Sequence, residues 1–500
     1  MPKPPRSEEA TTPFPTSPIS NGEWVPESVT ARQELISKLI TEEVDAQAKR
    51  HAMTRAEFLR TAAATMISFS VINRVNGLDA WGDNAVLPVQ KVHCEDLDAA
   101  SERLETKPYF IVDVQSHYVD QVEFPSPAYC FLRFCNEPGD PACADDISIV
   151  GQANYIKEMY VDSETHVGVI SGLPSGVPLG PESSAETRDL VNSLASSERC
   201  IIQAMIDPSP SPSIPNPNFR TGIDTMEYQV STLGGRAVKC YSYNGNWRLD
   251  DEAVAYPMFA EARRLGIRLI NVHKGLPAIF APGSEESVRT TDFPKALADW
   301  PDLRFCAYHS GYFQPGNHPE GKDGITEFIE MAESLPRSHR RRLYAEVGSS
   351  FAITLLTDGV QSCGNGGPPP TGPLNTAHFM GQLLKTFGSK NILWGTDSIW
   401  WGSPQWLIDA FKIMQIPASL QEQFGYPALT KRRKQRILGR NAARLYKIKR
   451  RTRNNLCSIP EDDLSTVQAA RGGAHASRTL RAYGARTRRE FLKQFGWSYG

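Results

Sequence analysis

Eight short apolar runs rich in β-branched residues recur along the middle of the chain, at 109–115, 166–171, 200–206, 237–241, 267–273, 303–309, 343–347 and 392–397. Each has the length of a buried strand and is too short for a helix. Most neighbours are separated by a helical pattern, such as 250–265 with Gly266 as its stop, or 325–334. Strands alternating with helices in this way build either a closed parallel barrel or a large doubly wound sheet. No GxGxxG turn follows the first run and no GxxxxGK[ST] occurs anywhere, so the nucleotide-binding sheets lack their signature. The pattern predicts an α/β chain with a (β/α)8 TIM-type barrel over 108–448.

Upstream, Leu35, Ile36, Leu39, Ile40 and Val44 recur at helical spacing, and a second helix is predicted over 55–75. The stretch 29–107 is thus read as a helical N-terminal extension packed on the barrel. Residues 1–28 are rich in Pro, Ser, Thr and Glu and are predicted to be disordered. Beyond the barrel, Lys449, Arg450, Arg451 and Arg453 open a basic tail, 449–500, predicted to be flexible.

The formal charge of −2 over 500 residues gives no global attraction to nucleic acid or to anionic membrane. No run of 18 apolar residues exists to span a bilayer. The nine cysteines include no CxxC pair, and Cys130, Cys135 and Cys143 do not have zinc-knuckle spacing. An odd, scattered count suits a reducing compartment, so the expected location is cytoplasmic. One segment keeps export open as the alternative. TRAEFLRTAAATMISFSVINRVN, beginning at Thr54, is similar to a twin-arginine leader, but Ala56 stands where the second arginine belongs. An ordinary buried helix is the other reading of it. TRREFLK at 487–493 carries the intact pair at the wrong end of the chain.

Candidate chemistry lies where the predicted strands end, because that face of a barrel carries function. Those ends read Asp113-Val-Gln115-Ser-His117, Lys239-Cys-Tyr241, Asn271-Val-His273, Tyr308-His309, Glu346-Val-Gly348 and Gly395-Thr-Asp397. Three of the ten histidines fall there, with an aspartate at the first and at the last strand. Imidazole and carboxylate converging on one mouth are ligands that zinc or manganese prefers. The two-residue period of a strand predicts that Asp113, Gln115 and His117 point to the same side.

From 111 to 446 the chain resembles the amidohydrolase-related family, in the branch that includes aminocarboxymuconate semialdehyde decarboxylase. The resemblance rests on NILWGTD at 391–397, ILGRNAARLY at 437–446, NVHKG at 271–275 and AYHSG at 307–311. It implies one divalent metal ion, zinc or manganese, held by His117, His273 and Asp397. The family's first-strand motif is Asp-x-His-x-His, and this chain has Gln115 at its first histidine. An amide oxygen is a poorer zinc ligand than imidazole, so Asp113 and Gln115 are expected as weak or outer partners of the metal.

The implied mechanism uses a metal-activated water, with Asp397 carrying its proton to the leaving group. His309 would stabilise an oxyanion or orient the water, or else serve as a hydrogen-bonded wall. Lys239, beside Tyr241, would bind a substrate carboxylate or pair with Glu346. Trp394, Trp400, Trp401 and Tyr312 suggest a flat aromatic substrate. The first reading is a hydrolase acting on a C–N or C–O bond of a small cyclic or aromatic molecule. The alternatives are non-oxidative decarboxylation of an aromatic acid and a degenerate barrel that binds a ligand without turnover. No GxSxG elbow supports a serine hydrolase. The expected partner is a small-molecule substrate, without nucleic acid or membrane, and a homo-oligomer is left open.

Overall fold

Each of the eight apolar runs forms a parallel strand. The computed structural model describes residues 11–18, 29–79, 85–105, 109–120, 151–173, 179–210, 221–277, 283–359, 371–449 and 456–470. The strands are β1 (Val112–Ser116), β2 (Val167–Ile170), β3 (Cys200–Ile202), β4 (Ala204–Met205), β5 (Val238–Tyr241), β6 (Leu269–Gly275), β7 (Arg304–Tyr312), β8 (Leu343–Glu346) and β9 (Ile392–Leu393). The third run is the one that divides, at Gln203, into β3 and β4. The Gln203 side chain turns inward and donates to Val114 O (3.2 Å), Ser171 Oγ (2.9 Å) and the Tyr308 hydroxyl (2.8 Å).

Pairing runs β1-β2-β3 and then β4 through β9 in order. The two ribbons join across Gln203, through Gln203 N to Ile170 O (3.1 Å) and Arg236 N to Ile202 O (3.0 Å). The ring closes between the first and last staves, through Val114 N to Trp394 O (3.0 Å), Asp397 N to Gln115 O (2.9 Å) and His117 N to Ser398 O (2.7 Å). The result is a barrel of eight staves with helices outside. Its interior is lined by Val112, Val169, Ile201, Leu269, Tyr308 and Leu393, and Ala442 and Tyr446 of the closing helix plug the floor.

The closing helix is fastened by one side chain. Asn441 Nδ2 donates to both Ser389 O and Ile392 O at 2.8 Å. Gly439 permits this approach, since a Cβ there would lie 2.0 Å from Phe110 O.

The upstream helices differ in detail from the expectation. The first, Ala31–Arg50, begins with a capping box between Thr30 and Gln33 and buries Ile36, Ile40, Val44 and Ala48. Leu35 faces away and is 45% exposed, because the buried stripe follows a strict i, i+4 row. The predicted helix 55–75 is two helices, Arg55–Phe58 and Ala62–Val75. Thr54 and Thr61 each cap a new start with their hydroxyls. The second is buried at every position from Ala63 to Asn73, so the leader-like segment forms an internal helix here. No described helix is long and apolar enough to cross a membrane.

Of 1–28, residues 11–18 are described, and Phe14 among them is buried, stacked 5.0 Å from Trp406. In the tail, 456–470 contains the helix Glu461–Ala470, where a flexible segment was expected. The rest of both ends, and Cys130, Cys135 and Cys143, lie outside the described residues.

Asn441→Ala is expected to leave two strand-end carbonyls without a donor. Unpaired buried groups cost about 1–3 kcal/mol each, so chemical denaturation should show a loss of roughly that size. An unchanged midpoint would mean the closing helix is held by its apolar face alone.

Candidate active site

Strand ends at one mouth of the barrel bring Gln115, His117, Lys239, His273, His309, Glu346 and Asp397 together, all buried. At their centre is the Asp397 carboxylate. Oδ1 lies 3.1 Å from His117 Nε2 and accepts from Gln115 Nε2 at 2.9 Å. Oδ2 accepts from Ser349 Oγ at 2.5 Å. A carboxylate can only accept, so the amide nitrogen of Gln115 must face it. The same nitrogen is 3.2 Å from His309 Nε2, and the His309 and His273 rings meet edge to face at 4.7 Å. His273 Nε2 lies 3.0 Å from Leu276 O, which fixes that nitrogen as the N–H. The polar groups therefore form a chain from His273 through His309, Gln115 and Asp397 to His117.

Backbone geometry supports this convergence. His309, Ser310 and Asp397 hold positive φ (62°, 52° and 57°) without being glycine. Such conformations cost about 1–3 kcal/mol each and collect at functional sites. They break the alternation of β7 and redirect His309 inward. Two glycines admit the carboxylate of Glu346. A Cβ at Gly395 would lie 2.0 Å from its Oε1, and one at Gly348 would lie 2.8 Å from its Oε2 and 2.8 Å from His309 Nδ1. Glu346 accepts from His309 N (3.0 Å) and Gly348 N (2.6 Å).

Burial sets the protonation of the mouth. Desolvation, with Lys239 adding repulsion, pushes the His273 imidazole down to about 3. Desolvation also lowers His309, helped by His273 and Lys239. Both rings are neutral at pH 7 and keep a lone pair. Desolvation pushes the Glu346 carboxyl up to about 8, with Asp397 and Asp113 opposing its charge. The Lys239 ammonium lies 4.0 Å above the Tyr308 ring centre and 4.3 Å above that of Tyr241, a cation–π seat.

Several expected residues are located differently. The register of β1 against β2 shifts between Asp113 and Ser116, and this bulge removes Asp113 from the side that Gln115 and His117 share. Its carboxylate accepts from Thr396 N (3.1 Å), Thr396 Oγ1 (2.5 Å) and Gln115 N (3.1 Å), so it braces the closure and does not reach the mouth. Trp394 faces the outer layer, packed on Phe351 and Phe411, and Trp401 packs near Trp406 at 6.4 Å. Trp400 does reach the site, stacked 6.2 Å from His117. Tyr241 lies 5.8 Å from the His273 ring and donates to Gly172 O, while Tyr312 pairs with β6 through its backbone. Ser349 is the site residue that the sequence did not single out. It stands three residues beyond Glu346, where β8 ends, and that nearness to a strand end is the one signal that pointed to it.

Among the described residues, no three His, Cys, Asp or Glu side chains stand at the spacing of a metal cage. The His117–Asp397 pair has the separation of two donors on one cation with bonds of about 2.0–2.2 Å. Gln115 Oε1 is buried and has no hydrogen-bond partner among the described residues. Imidazole, carboxylate and an uncommitted amide oxygen form a donor set that fits a divalent ion.

Glu346 gives a test of the buried charge. The folded protein holds this proton up to about pH 8, whereas the unfolded chain releases it near pH 4.3. Its contribution to stability is therefore full below about pH 4 and declines as pH rises to about 8. In chelator-treated protein, Glu346→Gln should remove that share of the decline, seen as a shallower pH slope of unfolding free energy. Parallel slopes for the two proteins would mean that the carboxyl titrates normally.

Residues 201–448 match the family model described as amidohydrolase; β1 and β2 precede that match. None of the curated proteins matches the chain. Among solved structures, 5-carboxyvanillate decarboxylase from Sphingomonas paucimobilis is similar at 13% identity and a TM-score of 0.43, over 68% of this chain and 99% of that one. A dihydroxybenzoic acid decarboxylase from Polaromonas sp. JS666, with bound manganese and the inhibitor 2-nitroresorcinol, is similar at 11% identity and a TM-score of 0.42, over 69% and 99%. On that match, residues 201–448 of the chain form a region of the amidohydrolase family.

Proposed function

We propose that the protein is a hydrolase acting on a C–N or C–O bond of a small cyclic or aromatic molecule, with one divalent metal ion, zinc or manganese. The observation that carries this reading is the Asp397 carboxylate held among His117, Gln115 and Ser349 at the buried strand ends. His117 and Asp397 would hold the ion, with Gln115 through its amide oxygen and His273 as the further donors. A divalent ion there supplies Lewis acidity, bringing the acidity of water toward neutrality and polarising the substrate oxygen.

The protein's own groups do the rest. Asp397 accepts the proton of the attacking water and delivers it to the leaving nitrogen or oxygen. Ser349 fixes the plane of that carboxylate through Oδ2. Neutral His309 hydrogen-bonds the developing oxyanion or orients the water. Lys239, seated between Tyr241 and Tyr308, receives a carboxylate of the substrate, and Trp400 beside His117 offers a flat wall. Burial of every one of these groups excludes bulk water and strengthens each interaction.

Non-oxidative decarboxylation of an aromatic acid is the second reading, favoured by the buried Lys239 ammonium close to two neutral imidazoles. A panel of lactones, cyclic amides and hydroxybenzoates separates the two by ring-opened product or released carbon dioxide. No turnover of any of them, with metal restored, would support a ligand-binding barrel.

Asp397→Asn keeps the shape and removes the basic oxygen. It should lower turnover by about two to four orders of magnitude while the fold persists. Normal turnover in the folded, metal-replete variant would exclude the proton-carrying role. Calorimetric titration of zinc into chelator-treated wild type and Gln115→His should show binding in both, tighter in the variant, because imidazole is the better zinc donor. Absence of binding in both proteins would defeat the metal assignment.

A further inference from the structure

At the opposite end of the barrel, three consecutive staves begin with arginine. Arg236 precedes β5 by two residues, Arg268 precedes β6, and Arg304 opens β7. With Arg444 and Lys447 from the end of the closing helix, they line a cavity of about 470 Å³. That volume lies in the range of small-molecule sites. No acidic residue lines it.

The charge is only partly answered. Arg236 is answered in full, since its guanidinium grips Glu198 through both nitrogens, Nη1 to Oε2 at 3.2 Å and Nη2 to Oε1, and Nη1 also reaches Tyr446 O at 3.4 Å. Arg268 shares Asp302 with Arg263, at 3.6 and 3.8 Å, and donates to the carbonyls of Arg263 and Ile267. Arg444 reaches only the Lys390 carbonyl, at 3.5 Å. The side chains of Arg304 and Lys447 have neither an ion pair nor a hydrogen bond among the described residues. Arg304 also adds repulsion to Arg342, whose guanidinium is pushed below its usual range chiefly by burial. The next charged residues in the sequence, Lys449, Arg450, Arg451 and Arg453, are all basic.

We propose that this floor cavity binds a small polyanion carrying two or more adjacent phosphate groups. Guanidinium forks match phosphate oxygens in pairs, and the spread of five cations over the cavity exceeds what a single anion would need. The cavity lining holds no carboxylate, imidazole or thiol, so the site is read as one that binds its ligand. Tyr446 ties the floor to the interior. It lines the cavity, and its hydroxyl lies 3.2 Å from Asn271 Nδ2 and 3.5 Å from that of Tyr308, the ring beneath Lys239.

The test is calorimetric titration of the full chain with tripolyphosphate, inorganic phosphate, citrate and a single-stranded oligonucleotide, at low and at moderate salt. Tripolyphosphate should bind one to one, more tightly than phosphate or citrate, and weaken as salt rises. Arg304→Gln with Lys447→Gln should weaken it by about tenfold or more, the scale of one or two charge-assisted hydrogen bonds. Both side chains lack ion pairs, so the double variant should melt as the wild type does. A control of equal charge, Lys49→Gln with Arg60→Gln, should bind as the wild type does. No saturable binding of tripolyphosphate at low salt would overturn the proposal. So would equal affinity in wild type and the floor variant, a preference for the oligonucleotide with none for tripolyphosphate, or citrate binding at least as tightly.

Discussion

The junction between the first and last staves is the contact on which the site depends. Gln115 and Asp397 stand 282 residues apart, and three backbone bonds between β1 and the segment after β9 bring them side by side. Those bonds are not decoration on an open sheet. Asp397 N donates to the carbonyl of Gln115, and Gln115 Nε2 donates to the carboxylate of Asp397. The same two residues thus close the ring and form the centre of the mouth. Asp113 reinforces the junction by accepting from the Thr396 backbone and hydroxyl.

Closure has an electrostatic consequence. Asp113, Glu346 and Asp397 are carried into one buried region, where the charged forms of Asp113 and Glu346 are disfavoured. Desolvation pushes Asp113 up to about 7 and Glu346 up to about 8. The protein answers with donors aimed at each carboxylate, namely Thr396 for Asp113, the His309 and Gly348 amides for Glu346, and Gln115 with Ser349 for Asp397. A divalent ion would relieve the same crowding. The metal reading and the hydrogen-bond network therefore respond to one physical problem.

Much of this was legible in the sequence, for reasons that can be named. Eight strands declared themselves because both faces of a barrel stave are buried, which forces continuous runs of Val and Ile. The strand-end rule then pointed to His117, Lys239, His273, His309 and Asp397, and the structure has these at one mouth. The failures are local backbone events that period counting cannot see. The bulge after Asp113 shifts the phase of β1, so a strict two-residue alternation assigned the wrong side to Asp113. Positive φ at His309 does the reverse, turning inward a residue that alternation with Phe305 and Ala307 would direct outward. Trp394 was misassigned because proximity in sequence to Asp397 says nothing of facing, and its ring belongs to the layer under Phe351 and Phe411. Gln203 divides the third stave because its amide satisfies the barrel interior, a tertiary demand with no sequence period.

The column of polar side chains through the barrel completes the picture. Most TIM-type barrels fill this space with branched apolar side chains. Here Gln203, Asn271, Tyr308 and Tyr446 join one another and Val114 O. Within this network the Tyr308 hydroxyl accepts from Gln203 and donates to Val114 O, which anchors the ring on which Lys239 rests. The network also makes Tyr446 common to the mouth's support and to the basic floor. The mouth and floor are consequently built on neighbouring side chains, with Tyr446 bordering the floor cavity and Tyr308 seating the buried lysine.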